Sequence, residues 1–423
     1  MEKELKRLMA TNIAGLEEDF ALDSLAKLVD LALDLRDPSA TSLAMGWGGA
    51  IEAKVSDKGA PFLDYCMANA WANRYQELSQ LKVWSWEQPE YQKQLFYLKR
   101  SIGRKEFESL DLVRRCQIMT NLANCLSTIG RFVEAQEYWN KALEIIPDFG
   151  VARGNRGSGA TSYLRALYNP GHQAIFALFG YAELHAATQP SATYNDASAS
   201  AARSHYQEKL FELGAAFTGL DAKGFKSKTQ RDYSLGDTPE ETEYRTWCLR
   251  NRLFLNPLND VCGHSIGARD VLSTPSITCA SKNIGPPAVI GFFNQMKQEY
   301  ISARWQFYLG VNDPKPHFSD TDVFIPNTLD YASFGLPTEM VKSAFRSAYS
   351  IFDKIGYFMN QYFNLGVEDK KVSFRGIWYV PKKKEIRNDL EDLKNWPLRG
   401  LFWLSKDFFD ETQDATDPDA KAL

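Results

Sequence analysis

The sequence predicts an all-α protein in which an α-solenoid precedes an antiparallel helical bundle. In the first half, small residues recur where paired helices must approach closely, as in QIMTNLANCLSTIGRFVEAQEYWNKALEIIPDF. In the second half, PTEMVKSAFRSAYSIFDKIGYFMNQYFNLG places apolar residues in alternating steps of four and three, the spacing of one helix face. A length of 423 residues, with 44% hydrophobic and 24% charged residues, fits two or three folded domains.

The clearest helical pair lies in residues 117–149. Ala123, Ala135 and Ala142 fall at positions of close helix approach, Gly130 supplies the turn, and Pro147 closes the unit. Bulky apolar residues stand between them: Leu122, Leu126, Phe132, Trp139 and Leu143. This arrangement resembles a tetratricopeptide repeat (TPR) at nearly every signature position.

One such repeat cannot bury its own face, so helical neighbours are expected on both sides. Gly157 lies 34 residues after Ala123 in a second small-residue pair, and Ala68 and Ala70 hold similar positions upstream. The segment LDSLAKLVDLALDLRD is predicted as an earlier helix. We therefore expect a TPR-like array over residues 1–190.

A connector, residues 191–237, is predicted to separate this array from a second domain, and part of it, ARSHYQEKLFELGAAFTGL, can be helical. Thr238, Pro239 and Glu241 then form a capping box that indicates a helix start. Two long helices follow, each with a narrow apolar seam: Val289, Phe293, Met296, Tyr300, Ala303 and Phe307, and then Val341, Phe345, Ala348, Phe352, Ile355, Met359 and Tyr362. Such seams favour a bundle over residues 238–423, with apolar surface left over for a homodimer.

Three further segments complete this half. WPLRGLFWLSKDFFDE predicts an amphipathic last helix, and SFRGIWYVPKKKEI predicts either a small hairpin or a loop. The run NPLNDVCGHSIGARDVLSTPSITCASKNIGPP, rich in Asn, Gly, Ser and Pro, predicts an irregular excursion of a kind that often carries function.

Composition excludes several classes of protein. The net charge of −4, from 49 basic and 53 acidic residues, gives no global attraction to nucleic acid. Apolar runs are too short for a membrane span, and the charged N-terminus does not resemble a signal peptide, so we expect a cytoplasmic protein. The cysteines form no C-x-x-C pair and the five histidines are dispersed, so no metal or other cofactor is expected. Nucleotide-binding and hydrolase signatures are likewise missing.

The predicted second domain begins with LRNRLFLNPLND and continues with AFRSAYSIFDKIGYFMNQYFNLG and LRGLFWLSKDFFD. These segments resemble a HEPN domain, particularly the bacterial branch that places it behind helical repeats. The resemblance covers roughly residues 238–423 and rests on helix order and aromatic pattern. It implies metal-independent RNA cleavage by an arginine and a histidine separated by four to six residues. In that chemistry the arginine holds charge on the phosphate while the imidazole moves a proton.

No complete catalytic pair of this kind is predicted. Arg165 and His172 have the spacing, but Asn-Pro-Gly between them breaks the helix that the geometry requires. Arg250 is followed by Asn251, yet Asn256 stands where a histidine is needed, and it fits better as a helix cap at the following proline. We expect the motif in the helix after the aromatic segment, where the sequence ends at Leu423. Either the bundle is incomplete here or the protein has lost the motif, and in both cases the chain is expected to be inactive.

Local basic residues are the candidates for RNA contact. They are Arg375, Lys382, Lys383, Lys384 and Arg399. Trp378 and Tyr379 lie among the first four, as stacking side chains do in single-strand binders. A solvated turn is the alternative interpretation of the same run.

Two functions therefore remain open. One is a TPR–HEPN endoribonuclease of a bacterial defence or toxin system, with RNA as its substrate. The other is a non-catalytic adaptor whose array binds a protein or peptide partner and whose bundle dimerises.

Overall fold

The computed structural model describes residues 1–79, 85–194, 199–230, 232–276, 288–312, 315–326, 329, 333–383 and 385–409. Within these residues the regular structure is helical, apart from two isolated β-bridges, Phe149–Thr193 and Tyr379–Ile386. The all-α prediction is therefore confirmed.

The helices are α1 (Glu2–Met9), α2 (Glu18–Leu35), α3 (Pro38–Glu52), α4 (Ala60–Ser79), α5 (Pro89–Gly103), α6 (Leu112–Thr128), α7 (Phe132–Ile145), α8 (Gly150–Tyr163), α9 (Pro170–Thr188), α10 (Ala199–Ala216), α11 (Gly224–Thr229), α12 (Pro239–Arg250), α13 (Pro257–Val261), α14 (Ala288–Asn312), α15 (Leu336–Tyr362), α16 (Asn388–Glu391) and α17 (Trp396–Phe409). Short 3-10 helices span Ile13–Gly15, Lys105–Ser109, Leu164–Ala166, Ser265–Gly267, Phe318–Asp320 and Asp369–Lys371.

The chain divides into two compact units. The first contains Met1–Thr229 and Asn395–Leu423, and the second contains Gln230–Lys394. The helix α17, which sequence reasoning groups with the bundle, thus belongs to the first unit. The limits 1–190, 191–237 and 238–423 differ from these units, and as domain limits they stay predictions.

In the first unit, consecutive helices pair as hairpins that stack along the chain, and α1–α11 are called the helical array below. The pair α6–α7 shows how the sequence produces them. Asp111 caps α6 by accepting a hydrogen bond from the Arg114 backbone N–H at 2.9 Å, and Gly130 makes the turn at φ +96°. Ala123 and Ala135 are completely buried, as expected for a close helix approach.

The neighbouring pairs follow the same principle. In α8, a Cβ at Gly157 would lie 2.9 Å from the Gly180 carbonyl oxygen of α9, so only glycine permits this crossing. Upstream, Ala68 and Ala70 of α4 are buried, and the predicted early helix corresponds to α2. The solenoid prediction is confirmed at the level of stacked helical pairs, while the TPR register stays a prediction.

In the second unit, α12 begins as predicted, because the Thr238 hydroxyl accepts a hydrogen bond from the Glu241 N–H at 3.2 Å. The α14 and α15 helices form the principal pair. Arg304 of α14, only 6% exposed, binds both carboxylate oxygens of Asp270 at 2.8 and 2.9 Å and anchors the irregular segment after α13. Residues 277–287 of the predicted irregular excursion lie outside the described part of the chain.

The predicted apolar seams are only partly buried. Ala303 and Met359 are enclosed, but Phe307, Phe345 and Tyr362 are 39%, 69% and 60% exposed. The buried residues of α15 are Ala344, Gly356, Met359 and Asn360, of which Met359 alone belongs to the predicted seam. Small residues there let neighbouring backbone approach, which the regular spacing of large residues could not predict.

The sequence predicts a hairpin or a loop over residues 373–386. Those that the structure describes, 373–383 and 385–386, form consecutive turns with one bridge between Tyr379 and Ile386. Trp378 is completely buried and its ring centroid lies 5.7 Å from that of Phe374. The indole therefore belongs to the core of the second unit.

Candidate functional site

The helix α17 is built into the first unit through an unusually close backbone contact. A Cβ added to Gly400 would overlap the carbonyl oxygen of Gly130, and one added to Gly130 would overlap that of Trp396. Both glycines are needed because any side chain would push α17 away from the α6–α7 turn. Leu398 and Phe402 bury the apolar face of α17 at this contact.

Indole groups fix the helix on either side of this crossing. The Trp396 N–H donates to the Ser127 carbonyl oxygen at 2.7 Å, and the Trp403 N–H donates to the Trp86 carbonyl oxygen at 3.1 Å. Each bond satisfies a backbone oxygen that ends or precedes a helix of the array. The position of α17 is thus set by directional bonds as well as by apolar burial.

An ion-pair cluster holds the last turn of α17. Asp407 accepts a hydrogen bond from Lys99 Nζ at 3.0 Å and another from Arg131, which also pairs with Glu134. Partial burial opposes ionisation of Asp407, but the positive charges of Arg131 and Lys99 outweigh it and lower the pKa of this carboxyl group. Its stabilising charge is therefore present above pH 3.8 and is lost as the pH falls through the lowered pKa.

Arg399 does not fit the predicted role of an RNA contact. Its side chain is only 2% exposed, and its Nη2 donates to Gln88 Oε1 at 2.8 Å. On an amphipathic helix, this arginine occupies the buried side because Gln88, 311 positions away in sequence, supplies an acceptor there. Its guanidinium group holds α17 in place through this hydrogen bond and is not available to a phosphate.

The other basic candidates lie in the second unit, on the turns that follow α15. Arg375, Lys382 and Lys383 are exposed, whereas Lys384 lies outside the described residues. Lys383 pairs with Glu385 at 3.4 Å, an exposed contact of little strength. Because Trp378 is buried, it cannot stack on a base. Arg375, Lys382 and Lys383 therefore offer positive charge without an aromatic stacking surface from Trp378.

Neither arginine considered for catalysis has a usable histidine. Arg165 lies in the 3-10 helix Leu164–Ala166, which follows α8. The next helix, α9, begins after Asn169, whose side-chain oxygen accepts a hydrogen bond from the His172 backbone N–H at 3.1 Å. The helical break predicted between them is confirmed. Asn256 caps α13 by accepting the Leu258 N–H at 3.0 Å, as expected, while its amide nitrogen donates to Gly267.

Sequence reasoning missed Asp260, a buried acid next to this cap. Its side chain is 8% exposed, and burial raises its pKa to about 7, against a smaller opposing effect of Arg252. Arg252 itself adopts a left-handed backbone at φ +56° and donates to the Asp260 main-chain oxygen at 3.2 Å. An aspartate in the first turn of a helix usually faces solvent, so the sequence carried no signal of this burial.

The α14–α15 pair also presents large apolar side chains to solvent. Phe345 and Tyr349 stand one turn apart on α15 with ring centroids 6.1 Å apart, and both are exposed. Phe307 and Val311 of α14 are similarly exposed. These residues are the apolar surface that the bundle prediction anticipated.

Across the described ranges, no three His, Cys, Asp or Glu side chains are grouped to hold a metal ion. The same ranges contain no helix with the length and apolarity that crossing a membrane requires.

Comparison with known proteins identifies the C-terminal region. Residues 280–423, roughly a third of the chain, match the family model described as LA2681-like HEPN. Neither the curated proteins nor the solved structures contain a match. The matched region includes the α14–α15 pair of the second unit and α17 of the first, and it confirms the resemblance inferred from helix order and aromatic pattern. The chain therefore carries a HEPN domain of the LA2681-like kind.

Proposed function

We propose that this protein is a metal-independent, HEPN-type endoribonuclease component of a bacterial defence or toxin system, acting in the cytoplasm. The observation that carries the proposal is the HEPN match over residues 280–423. The helical array is the part suited to receiving a protein or peptide partner, because stacked helical pairs expose long continuous surfaces. RNA is the proposed substrate of the HEPN region.

The chain of 423 residues is proposed not to cleave RNA by itself. Arg165 and His172 have the required spacing, but a helix break divides them. The test is incubation of the purified chain with labelled single-stranded RNA and transfer RNA, with EDTA and with magnesium. We expect intact RNA in every condition. Cleavage that survives replacement of all five histidines would overturn the proposal.

A positive arm uses any longer form of the protein that carries Arg-Asn-x-x-x-His. Cleavage is expected to appear with that motif and to vanish when its histidine is replaced by alanine, because the imidazole moves the proton. Persistent cleavage by the alanine variant would place the chemistry elsewhere.

RNA binding is proposed to use the exposed charges of Arg375, Lys382 and Lys383. Replacing all three by glutamate is expected to weaken RNA binding at least tenfold and to reduce its salt dependence. Glutamates at Lys370 and Lys371 form the matched control, because these lysines are also exposed but lie outside the proposed binding site. Equal loss in both variants would indicate a general charge effect and contradict the specific site.

Homodimerisation is proposed through the exposed apolar surface of α14 and α15. Light scattering of the full chain at micromolar concentration is expected to give twice the monomer mass. A Phe345→Ser, Tyr349→Ser double variant should be monomeric, because it removes apolar area that is exposed on α15. A monomeric parent chain would overturn this part.

The alternative is a non-catalytic adaptor, and one observation favours it specifically. The last described helix of the HEPN match, α17, is fixed in the first unit by Gly400, Trp403 and Asp407, as expected of a structural element. The adaptor predicts a dimer that neither binds nor cleaves RNA. RNA binding that is lost on charge reversal at Arg375, Lys382 and Lys383 would exclude it.

A further inference from the structure

The first unit contains a cavity of about 870 Å³, within the size range of small-ligand sites. It lies between the C-terminal parts of α6 and α8 and the start of α17. The polar side chains of its described lining include Asn124, Thr128, Asn155, Ser158, Arg165 and Asn395.

Three asparagines in this lining have their side-chain oxygens already engaged. Asn124 Oδ1 accepts from the Trp139 indole at 3.0 Å, and Asn395 Oδ1 accepts from the Leu398 N–H at 2.9 Å. Indole and backbone N–H groups can only donate, so these bonds fix the orientation of both amides. Asn155 Oδ1 likewise accepts from the Tyr206 hydroxyl at 3.0 Å.

The three amide nitrogens are therefore left as hydrogen-bond donors. Arg165 adds an exposed, permanently charged guanidinium group, and the described lining contains no acidic residue. The hydroxyls of Thr128 and Ser158 donate to carbonyl oxygens of their own helices at 2.8 and 2.9 Å, which leaves their oxygens as acceptors. The cavity thus combines strong donors for an anion with weaker acceptors beside them.

We propose that this cavity binds a phosphate-bearing small molecule of nucleotide size. The donors lie on α6, α8, the following 3-10 turn and the start of α17, and a terminal phosphate offers them three oxygens and a larger negative charge, where a carboxylate offers two oxygens and a single charge. The hydroxyl oxygens suit the donor groups of a sugar, and the partly exposed Trp396 indole supplies apolar surface. This proposal does not rest on RNA cleavage.

The position of the cavity also links its ligand to α17. Asn395, Trp396 and Pro397 form one wall, so a bound ligand contacts the first turn of the same helix that Gly400 and Asp407 fix further along. A ligand that binds only the docked arrangement stabilises that arrangement by mass action. Occupancy of the cavity would thereby be transmitted to a helix of the HEPN match.

The binding test uses adenosine 5′-monophosphate as the probe and isothermal titration of the full chain. We expect saturable binding, with Arg165→Ala and Asn155→Asp each weakening it at least tenfold. Asn155→Asp keeps the oxygen that accepts from Tyr206 and replaces the donor by a negative charge, so it separates recognition from folding. Asn140→Asp is the matched control, because Asn140 pairs with Arg156 outside the cavity, and its affinity should stay within twofold.

Two further probes decide the chemistry. Adenosine should bind at least tenfold more weakly than the monophosphate, and equal binding would overturn the phosphate assignment. A peptide with a free C-terminal carboxylate that binds more tightly than the nucleotide, with the same sensitivity to Asn155→Asp, would overturn it in favour of a carboxylate ligand. Absence of binding by the monophosphate and by inorganic pyrophosphate would overturn the site itself.

The link to α17 has its own readout. With saturating monophosphate, backbone amides of residues 396–409 should exchange hydrogen at least threefold more slowly, and Arg165→Ala should abolish this protection. Unchanged exchange despite binding would overturn the coupling while leaving the binding site in place.

Discussion

The helices α8 and α15 show two opposite ways of using apolar surface. In α8, Gly154 and Gly159 leave space that is filled by rings from other helices, those of Tyr206 and Trp139. In α15, large rings point outward instead, and Phe345 is 69% exposed. Burial of α8 thus depends on small residues that admit a neighbour, whereas α15 keeps large rings such as that of Phe345 available for contacts beyond its own unit. A helix rich in aromatic residues is therefore not necessarily the better packed one.

The largest expected effect tests the dense packing of the first unit. Gly130→Ala should destabilise it by at least about 4 kcal/mol, because the new methyl group overlaps the Trp396 carbonyl oxygen in a left-handed backbone conformation. Urea unfolding monitored by circular dichroism measures the change.

Gly366→Ala is the matched control in the second unit. Gly366 also has a positive φ, +66°, but nothing lies within 4 Å of its added Cβ, so only backbone strain of about 1 kcal/mol is expected. Similar losses in both variants would contradict the difference in packing between the units.

A pH-dependent effect is expected in the second unit from Asp260. Its pKa is about 7 in the folded chain and 3.8 without burial, so the folded state binds more protons between these values. Stability should therefore fall as the pH rises from 4 to 7, by up to about 4 kcal/mol, and level off above 7. Urea unfolding across this range should show a flatter profile for Asp260→Asn. Profiles of equal slope would mean that this carboxyl group is not the source.

Overpacking should again distinguish buried from exposed positions within one helix of the array. Ala135→Trp is expected to cost about 3 kcal/mol, because Ala135 is completely buried at the α6–α7 crossing. Val133→Trp, at a position 49% exposed, should change stability by less than about 0.5 kcal/mol. Thermal unfolding compares the two, and an unaffected Ala135→Trp variant would remove the proposed repeat register.

The smallest effect on folding is expected from the exposed ring on α15. Phe345→Ser should alter the stability of the monomer by less than about 0.5 kcal/mol, since little area leaves a buried environment. Phe352→Ser on the same helix should cost more, because that ring lies 5.1 Å from the buried Phe374. Urea unfolding at concentrations below the dimerisation range measures both, and a large loss from Phe345→Ser would show that the ring is packed in the monomer.

Local sequence signals predicted much of this fold. The small residues Ala123 and Ala135, the cap at Thr238 and the cap at Asn256 all act over a few residues, where chain geometry leaves little choice. The helix break between Arg165 and His172 was predictable for the same reason.

Long-range contacts explain what was not predicted. The apolar face of α17 indicated burial but could not identify the α6–α7 turn as its partner. Arg399 looked like an RNA contact because its buried acceptor, Gln88, is 311 positions away and leaves no local signal in the sequence. The donors of the cavity were equally hidden, since Asn124, Asn155 and Asn395 meet only through tertiary packing. Asp260 was missed because its burial depends on the surrounding irregular segments.

The contact between Gly130 and Gly400 also fixes the register of α17 along its axis. Gly400 is the one glycine in WPLRGLFWLSKDFF, so a shift of one residue would bring the Cβ of Arg399 or Leu401 against the Gly130 backbone. The helix cannot slide to relieve tension or slack in the preceding chain. An insertion or deletion just before Asn395 is therefore expected to leave the docking point of α17 on the α6–α7 turn unchanged.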